Sequence, residues 1–230
     1  MYVTGQGDQL YSFYPPTQTF TLIGKFDCLT SPTHMTVDRQ GDAWVVAGGL
    51  LYKASTADAS CKPVANWTFN FAYTDFALTF IGVSSSAVDN ALFLMNGAAG
   101  VATFDTASGK VTPVGTANIG TAPGDMTSNG DGSLYFLRDV EDPTLHQLSP
   151  KDASTIGQWP ITAKGGGSQA LAFWGGSFYA FENSAIFQFD PIKKTTTPEG
   201  QRAAAGHRRR PVDVRCPRSL RRRSERELRG

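Results

Sequence analysis

The chain has 230 residues, enough for one domain of moderate size or two small ones. Its formal net charge of +1 hides two unlike parts: residues 1–200 carry 10 basic and 17 acidic side chains, whereas residues 201–230 carry 11 arginines and 3 acidic side chains. All 26 aromatic residues lie in the first part, so only that part has the composition of a buried core. No apolar run approaches the roughly 18 residues of a membrane span, and the composition excludes a coiled coil, a collagen and a disulfide-dense mini-protein.

One sequence pattern recurs five times along residues 1–200. An apolar strand with an aromatic residue is followed by a short loop and by a second apolar strand that ends in a turn. The aromatic residues, spaced by 42 to 49 positions, are Tyr2, Trp44, Phe93, Tyr135 and Tyr179, and the second strands begin at Leu10, Leu51, Val101, Leu145 and Ile186. The turns are Tyr14-Pro15, Ser55-Thr56, Asp105-Thr106, Ser149-Pro150 and Asp190-Pro191, which suit residues that preset φ or cap locally.

Two more strands complete several copies of the repeat. Third strands are predicted at 20–24, 111–115 and 154–157, and a further strand ends in a glycine turn just before the aromatic residue. A four-stranded unit that recurs at this period is typical of a β-propeller blade. The sequence therefore predicts an all-β protein, a β-propeller of about five four-stranded blades that either close into a ring or form an incomplete arc of a larger propeller. The alternative is an ordinary β-sandwich.

The stretch 104–136, FDTASGKVTPVGTANIGTAPGDMTSNGDGSLYF, resembles the repeats of NHL-type and YVTN-type bacterial surface propellers. In those repeats an Asp-x-x-Thr-Gly turn, a Val-Gly strand end and a run ending in Gly-x-Leu-Tyr recur. Segments 10–46 and 145–190 share the pattern more weakly. The resemblance implies an exported protein (periplasmic, cell-surface or secreted, and often a lipoprotein), and it specifies a fold rather than a chemistry.

In propellers of this type the strand that reads His-Met-Thr-Val-Asp here is innermost. The resemblance then implies inner strands at about residues 34, 76, 125 and 169, and a first blade that begins at its second strand, near Tyr2. On this basis we expect a chain truncated at its N-terminus. Because Met1-Tyr2-Val3-Thr4 opens directly into strand-like sequence, we expect no signal peptide in this sequence. A closing strand is due after Thr197, and the sequence there does not read as a strand.

Residues 201–230 form an arginine-rich tail with two interpretations. It could be a basic arm for nucleic acid or anionic lipid, with Arg208-Arg209-Arg210 and Arg221-Arg222-Arg223 on phosphates. Alternatively, it is a disordered segment translated out of frame from a GC-rich gene. We favour the second interpretation, because the tail has 11 arginines and no lysine and begins where a closing strand is due. The predicted division is thus a propeller at 1–200 and a tail at 201–230, without a nucleic-acid partner.

Two of the three cysteines, Cys28 and Cys61, fall in inter-strand segments of neighbouring repeats. They are either a disulfide formed in an oxidising compartment or two free, small apolar side chains. The third, Cys216, lies in the tail and is given no role. No Cys-x-x-Cys pair occurs, so the sequence supports no zinc site.

One polar constellation is a candidate site. His34, Asp125 and Gln169 each precede the aromatic residue of their repeat by ten positions, and Asp75 takes this place in the longer repeat. Because this column opens the inner strand, we expect the four side chains to converge on one mouth of the central channel. Such a set could hold Ca²⁺, Mg²⁺ or Zn²⁺. Gluconolactonase-like propellers use Glu, Asn and Asp ligands in a similar place, but this set lacks the Glu; the alternative is a hydrated polar channel.

Two other features of the sequence each have a structural interpretation. Trp67, Phe69, Phe71 and Tyr73 alternate at period two, which predicts a half-buried strand first and a binding face for a carbohydrate or a protein second. His146 takes a second-strand position that is aromatic in other repeats, so we expect a packing residue whose edge meets water.

No hydrolase, nucleotide-binding or metalloprotease motif occurs in the sequence. The leading hypothesis is a non-enzymatic propeller that binds a protein, small-molecule or carbohydrate ligand in the cell envelope or extracellular space. The alternative is a metal-dependent hydrolase or lactonase that uses the channel mouth. A third and weaker hypothesis is nucleic-acid binding through the tail. No cofactor is expected under the first hypothesis, whereas the second requires a divalent metal; calcium is one candidate.

Overall fold

The structure is a computed structural model that describes residues 1–68, 76–82, 90–96, 100–120, 123–138, 142–161, 169–182 and 185–199. These residues form five antiparallel sheets and a single turn of 3₁₀ helix at Pro15–Thr17. Across the described ranges there is no helix with the length and apolarity needed to cross a bilayer. The tail and Asp75 lie outside the described residues, so the predicted division at residue 200 stays a prediction.

Each sheet takes its strands in chain order, and we call the sheets blades 1 to 5. Blade 1 contains β1 (Tyr2–Gly5), β2 (Gln9–Tyr14) and β3 (Thr19–Lys25). Blade 2 contains β4 (Pro32–Val37), β5 (Asp42–Ala47), β6 (Leu50–Ser55) and β7 (Cys61–Pro63). Blade 3 contains β8 (Ala77–Gly82), β9 (Asn90–Asn96), β10 (Gly100–Phe104) and β11 (Val111–Gly115). Blade 4 contains β12 (Gly124–Ser128), β13 (Leu134–Arg138), β14 (Thr144–Leu148) and β15 (Thr155–Pro160). Blade 5 contains β16 (Gln169–Trp174), β17 (Ser177–Glu182), β18 (Ala185–Asp190) and β19 (Thr195–Glu199).

The first strands of blades 2 to 5 are the inner strands of a β-propeller. β4 lies beside β8, β8 beside β12, and β12 beside β16, so these strands surround a common axis. Their positions agree with the inner strands implied at about residues 34, 76, 125 and 169. Blade 1 has three strands in the described residues, and its β1 takes the second-strand position and neighbours β4. The all-β propeller prediction is confirmed, and the sandwich alternative is wrong.

Five apolar clusters fill the five interfaces between neighbouring blades. They are centred on Val45 and Leu10 for blades 1 and 2, Phe76 and Trp44 for blades 2 and 3, Phe136 and Val101 for blades 3 and 4, Phe178 and Leu145 for blades 4 and 5, and Phe181 and Phe13 for blades 5 and 1. The last cluster closes the ring. Phe13 and Phe181 pack edge to face at 5.4 Å, and burial of each ring stabilises the closure by roughly 1.5–3 kcal/mol.

A recurring turn joins the third and fourth strands of blades 2 to 5. The fifth residue of the turn donates its N–H to the carbonyl of the first, in Ala59 to Ser55, Gly109 to Asp105, Ala153 to Ser149 and Lys194 to Asp190, at 2.7–3.0 Å. The donor residue is left-handed in every case, with φ between 57° and 75°. The Asp/Ser-Pro/Thr pairs, which predict turns in the sequence, are the first two residues of this turn in blades 2 to 5. In blade 3, N–H groups of Ser108 and Ala107 donate to the Asp105 carboxylate and lower its pKa.

Candidate functional site

The central axis has two ends, and both carry polar residues. We call the end where the inner strands begin, at His34 and Asp125, the upper mouth. The end where these strands finish, at Asp38, Gly82, Asn129 and Phe173, is the lower mouth. The sequence pointed to the upper mouth alone.

At the upper mouth His34 and Asp125 meet across the axis. His34 Nδ1 on β4 lies 3.2 Å from Asp125 Oδ1 on β12, and the two side chains are only 10% and 7% exposed. The backbone N–H of Leu171 on β16 donates to Asp125 Oδ2 at 2.8 Å. One carboxylate therefore links three inner strands, with each of its oxygens in a hydrogen bond. We call this arrangement the His34–Asp125 brace.

The backbone register places Gln169 one residue from the position that matches His34 and Asp125, and the convergence of all four predicted side chains stays a prediction. His34 lies opposite Val46 and Asp125 opposite Leu137, and the matching residue of blade 5, opposite Phe181, is Ala170. Gln169 is one residue away along β16, where its backbone lies opposite Glu182. The shift arises because blade 5 joins its first two strands through Gly175-Gly176 alone, a shorter turn than in blades 2 and 4.

Asp75, the fourth member of the predicted column, lies outside the described residues. The position of blade 3 that matches His34 is Ala77, which lies opposite Met95. Of the four predicted side chains, the structure thus brings two together, and matching positions in blades 3 and 5 carry alanine. The cavity beside the pair measures about 40 Å³ and is lined largely by apolar residues such as Val3, Met35 and Phe181. That is room for one to a few water molecules.

The His34–Asp125 brace has two chemical uses. A buried carboxylate that orients an imidazole is the arrangement of a general base and its orienting acid. The same pair offers one nitrogen and one carboxylate to a metal, fewer protein ligands than divalent sites in proteins use. In both cases Asp125 would have to keep or exchange its hydrogen bond from Leu171.

Cys28 and Cys61 form a disulfide, with their Cα atoms 5.6 Å apart. Cys28 lies between β3 and β4, and Cys61 opens β7, so the bond ties the first inter-blade connection to the outer strand of blade 2. Asp27 lies next to both sulfur atoms, in the one His/Cys/Asp/Glu grouping of metal-site dimensions within the described residues. As disulfide sulfurs, the two cysteines do not offer thiolates to a metal.

The lower mouth is the larger opening, and sequence reasoning missed it. Its cavity of about 320 Å³ is lined by the ends of all four inner strands and the turns after them, namely Val37, Asp38, Arg39, Phe80, Gly82, Ser128, Asn129, Gly130 and Phe173. The signal in the sequence was the glycine turn that follows inner strands, at Gly41, Gly130 and Gly175-Gly176. Of these glycines, Gly130 lines the cavity.

Asp38 at the lower mouth is a structural carboxylate. It accepts the backbone N–H of Gln40 and Asp42 at 3.0 and 2.9 Å and the indole N–H of Trp44 at 2.9 Å. Lys53 Nζ lies 3.6 Å from Asp38 and 2.8 Å from Asp42. Partial burial opposes the charge of Lys53, but the hydrogen bonds and charges of Asp42 and Asp38 outweigh it and raise the lysine pKa. The aspartates and the lysine thus hold the turn together.

His146 is a packing residue, as expected, but no edge of its ring is open to water to the extent that the sequence predicted. It is 6% exposed on β14, and within the described part of the chain neither ring nitrogen has a hydrogen-bond partner. Burial, and then the positive charge of Arg138, lower the pKa of His146 below 6.5. The residue is therefore held neutral inside the interface between blades 3 and 4.

Trp67 belongs to the core rather than to an exposed aromatic face. It is 8% exposed, packs against Phe76 and Phe104 at ring distances of 5.0 and 5.2 Å, and donates its indole N–H to the carbonyl of Gly49 at 3.0 Å. Phe69, Phe71 and Tyr73 lie outside the described residues. The binding-face interpretation is thus wrong for Trp67.

No protein-family model matches the chain, and no curated protein matches it. Solved structures with a similar fold include a chain of a nidogen/laminin complex, at 11% identity and a TM-score of 0.54 over 85% of this chain and 78% of that one. A protein of unknown function from Bacteroides caccae is 10% identical over 85% of this chain and 70% of that one, with a TM-score of 0.49. Streptogramin B lyase is 10% identical over 86% of this chain and 63% of that one, also at 0.49, so the chain spans less than two thirds of the lyase. At these identities the likeness is one of fold, and function has to be argued from the sites of this chain.

Proposed function

We propose that this protein is an exported, non-enzymatic β-propeller that binds a ligand or a protein partner in the cell envelope or extracellular space. The observation that carries the proposal is the His34–Asp125 brace. Both oxygens of the Asp125 carboxylate are engaged, by His34 and by the N–H of Leu171, and the residue is 5% exposed. A group fixed in this way joins strands. A reacting carboxylate, in contrast, needs access to a substrate.

Export is supported by the disulfide and by the resemblance to NHL-type and YVTN-type surface propellers. A disulfide between Cys28 and Cys61 persists in the periplasm or outside the cell, whereas cytosolic thiols are kept reduced. On this proposal, the ligand or partner binds at one of the two mouths or on the rim of the propeller.

Metal content tests the non-enzymatic role. We expect protein purified without chelator to contain no stoichiometric divalent metal, and its Tm to be unchanged by Ca²⁺, Mg²⁺ or Zn²⁺, because the Asp125 oxygens are already in use. Elemental analysis and thermal unfolding with each ion are the measurements. Stoichiometric metal in the natural protein that is lost in Asp125→Ala would overturn the proposal.

A metal-dependent hydrolase or lactonase is the second candidate, and the orientation of His34 by a buried carboxylate favours it. This candidate predicts hydrolysis of simple lactones or esters that requires an added divalent metal and is lost in both His34→Gln and Asp125→Asn. Hydrolysis that is metal-independent, or that survives both substitutions, is evidence against it.

A further inference from the structure

We propose that the interface between blades 3 and 4 binds a small monovalent anion of the size of chloride, between Arg138 and His146. Binding there is independent of the proposed function. Three nitrogen atoms in this interface, Arg138 Nε and both ring nitrogens of His146, are buried and have no hydrogen-bond partner among the described residues. Buried polar groups in native proteins nearly always have a partner, and those that lack one point to a bound water molecule or ion.

The strand register of blade 4 brings the two side chains to the same face of the sheet. His146 on β14 lies opposite Phe136 on β13, and Arg138 lies two residues further along β13, so the two are diagonal neighbours. Diagonal neighbours on an antiparallel pair are about 7–8 Å apart, which a long side chain can span. Phe136 belongs to the apolar cluster between blades 3 and 4, so Arg138 and His146 face blade 3 as well.

Arg138 supplies a positive charge that the described residues do not neutralise. Within the described part of the chain its guanidinium takes part in no ion pair. The residue lies at the end of β13, opposite Gly124 at the start of β12. Gly120, in the connection between blades 3 and 4, covers the guanidinium so closely that an added Cβ atom would lie 3.0 Å from Arg138 Nη2. An anion held beside this partly buried cation is shielded from water, where charge-assisted hydrogen bonds are strong.

His146 couples anion binding to protonation. Its imidazole is 6% exposed, and burial, followed by the charge of Arg138, lowers its pKa. The side chains opposite it in the sheet are Phe136 on β13 and Gln158 on β15, and the adjoining cluster is apolar, so Arg138 is the charge that acts on the ring among the described residues.

An anion satisfies this arrangement better than a water molecule does. A neutral imidazole has one N–H donor, whereas the imidazolium has two, and both it and the guanidinium need an acceptor of negative charge. An anion between them favours the imidazolium and so raises the pKa of His146. By linkage, protonation of His146 strengthens anion binding by the same factor. The ligand has to be small, because the nitrogens that bind it are buried.

The test follows the ring signals of His146 by NMR while sodium chloride replaces sodium gluconate at constant ionic strength. Gluconate carries the same charge but is too large to reach the buried nitrogens. The chain has three histidines, and His146→Gln identifies the signals of residue 146. Because the ring reports on this site alone, chloride bound by the arginines of residues 201–230 does not affect the result. We expect saturable chloride shifts that strengthen as the pH falls below 6.5, and a higher pKa of His146 in chloride than in gluconate.

Two variants separate this site from a general effect of salt. Arg138→Gln should weaken chloride binding at His146 about tenfold or more, the loss expected when a hydrogen bond to a charged group is removed. Lys62→Gln, which removes an exposed cation on β7, should not change it. Circular dichroism checks that Arg138→Gln is folded; if it is not, the titrations of the natural protein decide alone.

Identical titrations of His146 in chloride and in gluconate would overturn the inference. So would chloride binding at His146 that is unchanged in folded Arg138→Gln, or that Lys62→Gln weakens equally. None of these results bears on the proposed function, which fails instead if the protein contains metal that Asp125→Ala removes.

Discussion

Gly115 at the end of β11 lies against the backbone carbonyl of Asp152, in the recurring turn of the next blade. A Cβ atom at residue 115 would overlap that oxygen and come within 3.4 Å of the Cβ of Ala153. Gly24 makes the same approach to Asp58 and Ala59 between blades 1 and 2. At these two interfaces the outer strand of one blade therefore meets the recurring turn of the next blade at a glycine, which allows backbone to contact backbone.

We predict that Gly115→Ala lowers the free energy of unfolding by about 2–3 kcal/mol, because neither backbone can yield without opening the interface between blades 3 and 4. Urea titration followed by tryptophan fluorescence measures it. Gly175→Ala is the matched control: it has open space around the new methyl group but a φ of 59°, so it should cost about 1 kcal/mol. Equal losses in the two variants would contradict the prediction.

His146 makes stability depend on pH. Its pKa is lowered in the folded state below the 6.5 of the free side chain, so on acidification the unfolded chain takes up the proton first. The stabilisation is present above about pH 6.5 and is lost as the pH falls through the folded pKa. We predict that His146→Phe flattens this part of the stability–pH curve and stabilises the protein at neutral pH by about 1–3 kcal/mol, since it removes two buried ring nitrogens that lack partners in the described structure.

His146→Gln is the control for this effect. It removes the titrating group but keeps a polar side chain, so the slope of stability against pH below 6.5 should flatten without the gain in stability at neutral pH. Equilibrium unfolding at a series of pH values measures both quantities. A slope that is the same in the natural protein and in both variants would show that another group governs the pH dependence.

The disulfide should be a large part of the stability of blades 1 and 2. Cys28 and Cys61 are separated by 33 residues, and closing a loop of this length is worth about 3–4 kcal/mol in the chain-entropy description. We predict a loss of about this size in the double variant Cys28→Ser/Cys61→Ser, and on addition of reductant to the natural protein. Thiol titration of the unfolded, unreduced chain should find one free cysteine of the three; three free thiols would contradict the assignment.

The His34–Asp125 brace should make the effects of substitutions at the two residues on the free energy of unfolding non-additive. In a double-mutant cycle with His34→Ala and Asp125→Ala, we predict a coupling of about 1–3 kcal/mol, because the pair is buried and Asp125 also holds Leu171. The same cycle on Asp190 and Lys193, an ion pair whose lysine is 75% exposed, should give less than about 1 kcal/mol. Additive effects at His34 and Asp125 would show that the two residues act separately.

The repeat pattern was sufficient to locate the blades in the sequence, because the strands and turns of a blade depend on residues that are close together in the chain. Alternation of apolar residues, the aromatic in each second strand and the Asp/Ser turns recur at a nearly constant period, so each blade could be located without the others. The candidate site was only half predictable. His34 and Asp125 were recognised from their shared distance to Trp44 and Tyr135, but the same count led to Gln169 because it assumed turns of equal length.

By itself, the sequence determined an all-β chain of five blades, the inner strands once the family resemblance was applied, and the pair of cysteines able to bond. Only the tertiary structure decided that the ring closes through Phe13 and Phe181, that Asp125 is tied to both His34 and Leu171, and that the wider opening is the one beside Arg39. The physical reason is the range of the interactions. Strand and turn patterns arise between near neighbours in the chain, whereas these contacts join residues about 46 to 170 positions apart, and their geometry depends on single-residue register, which composition and period do not encode.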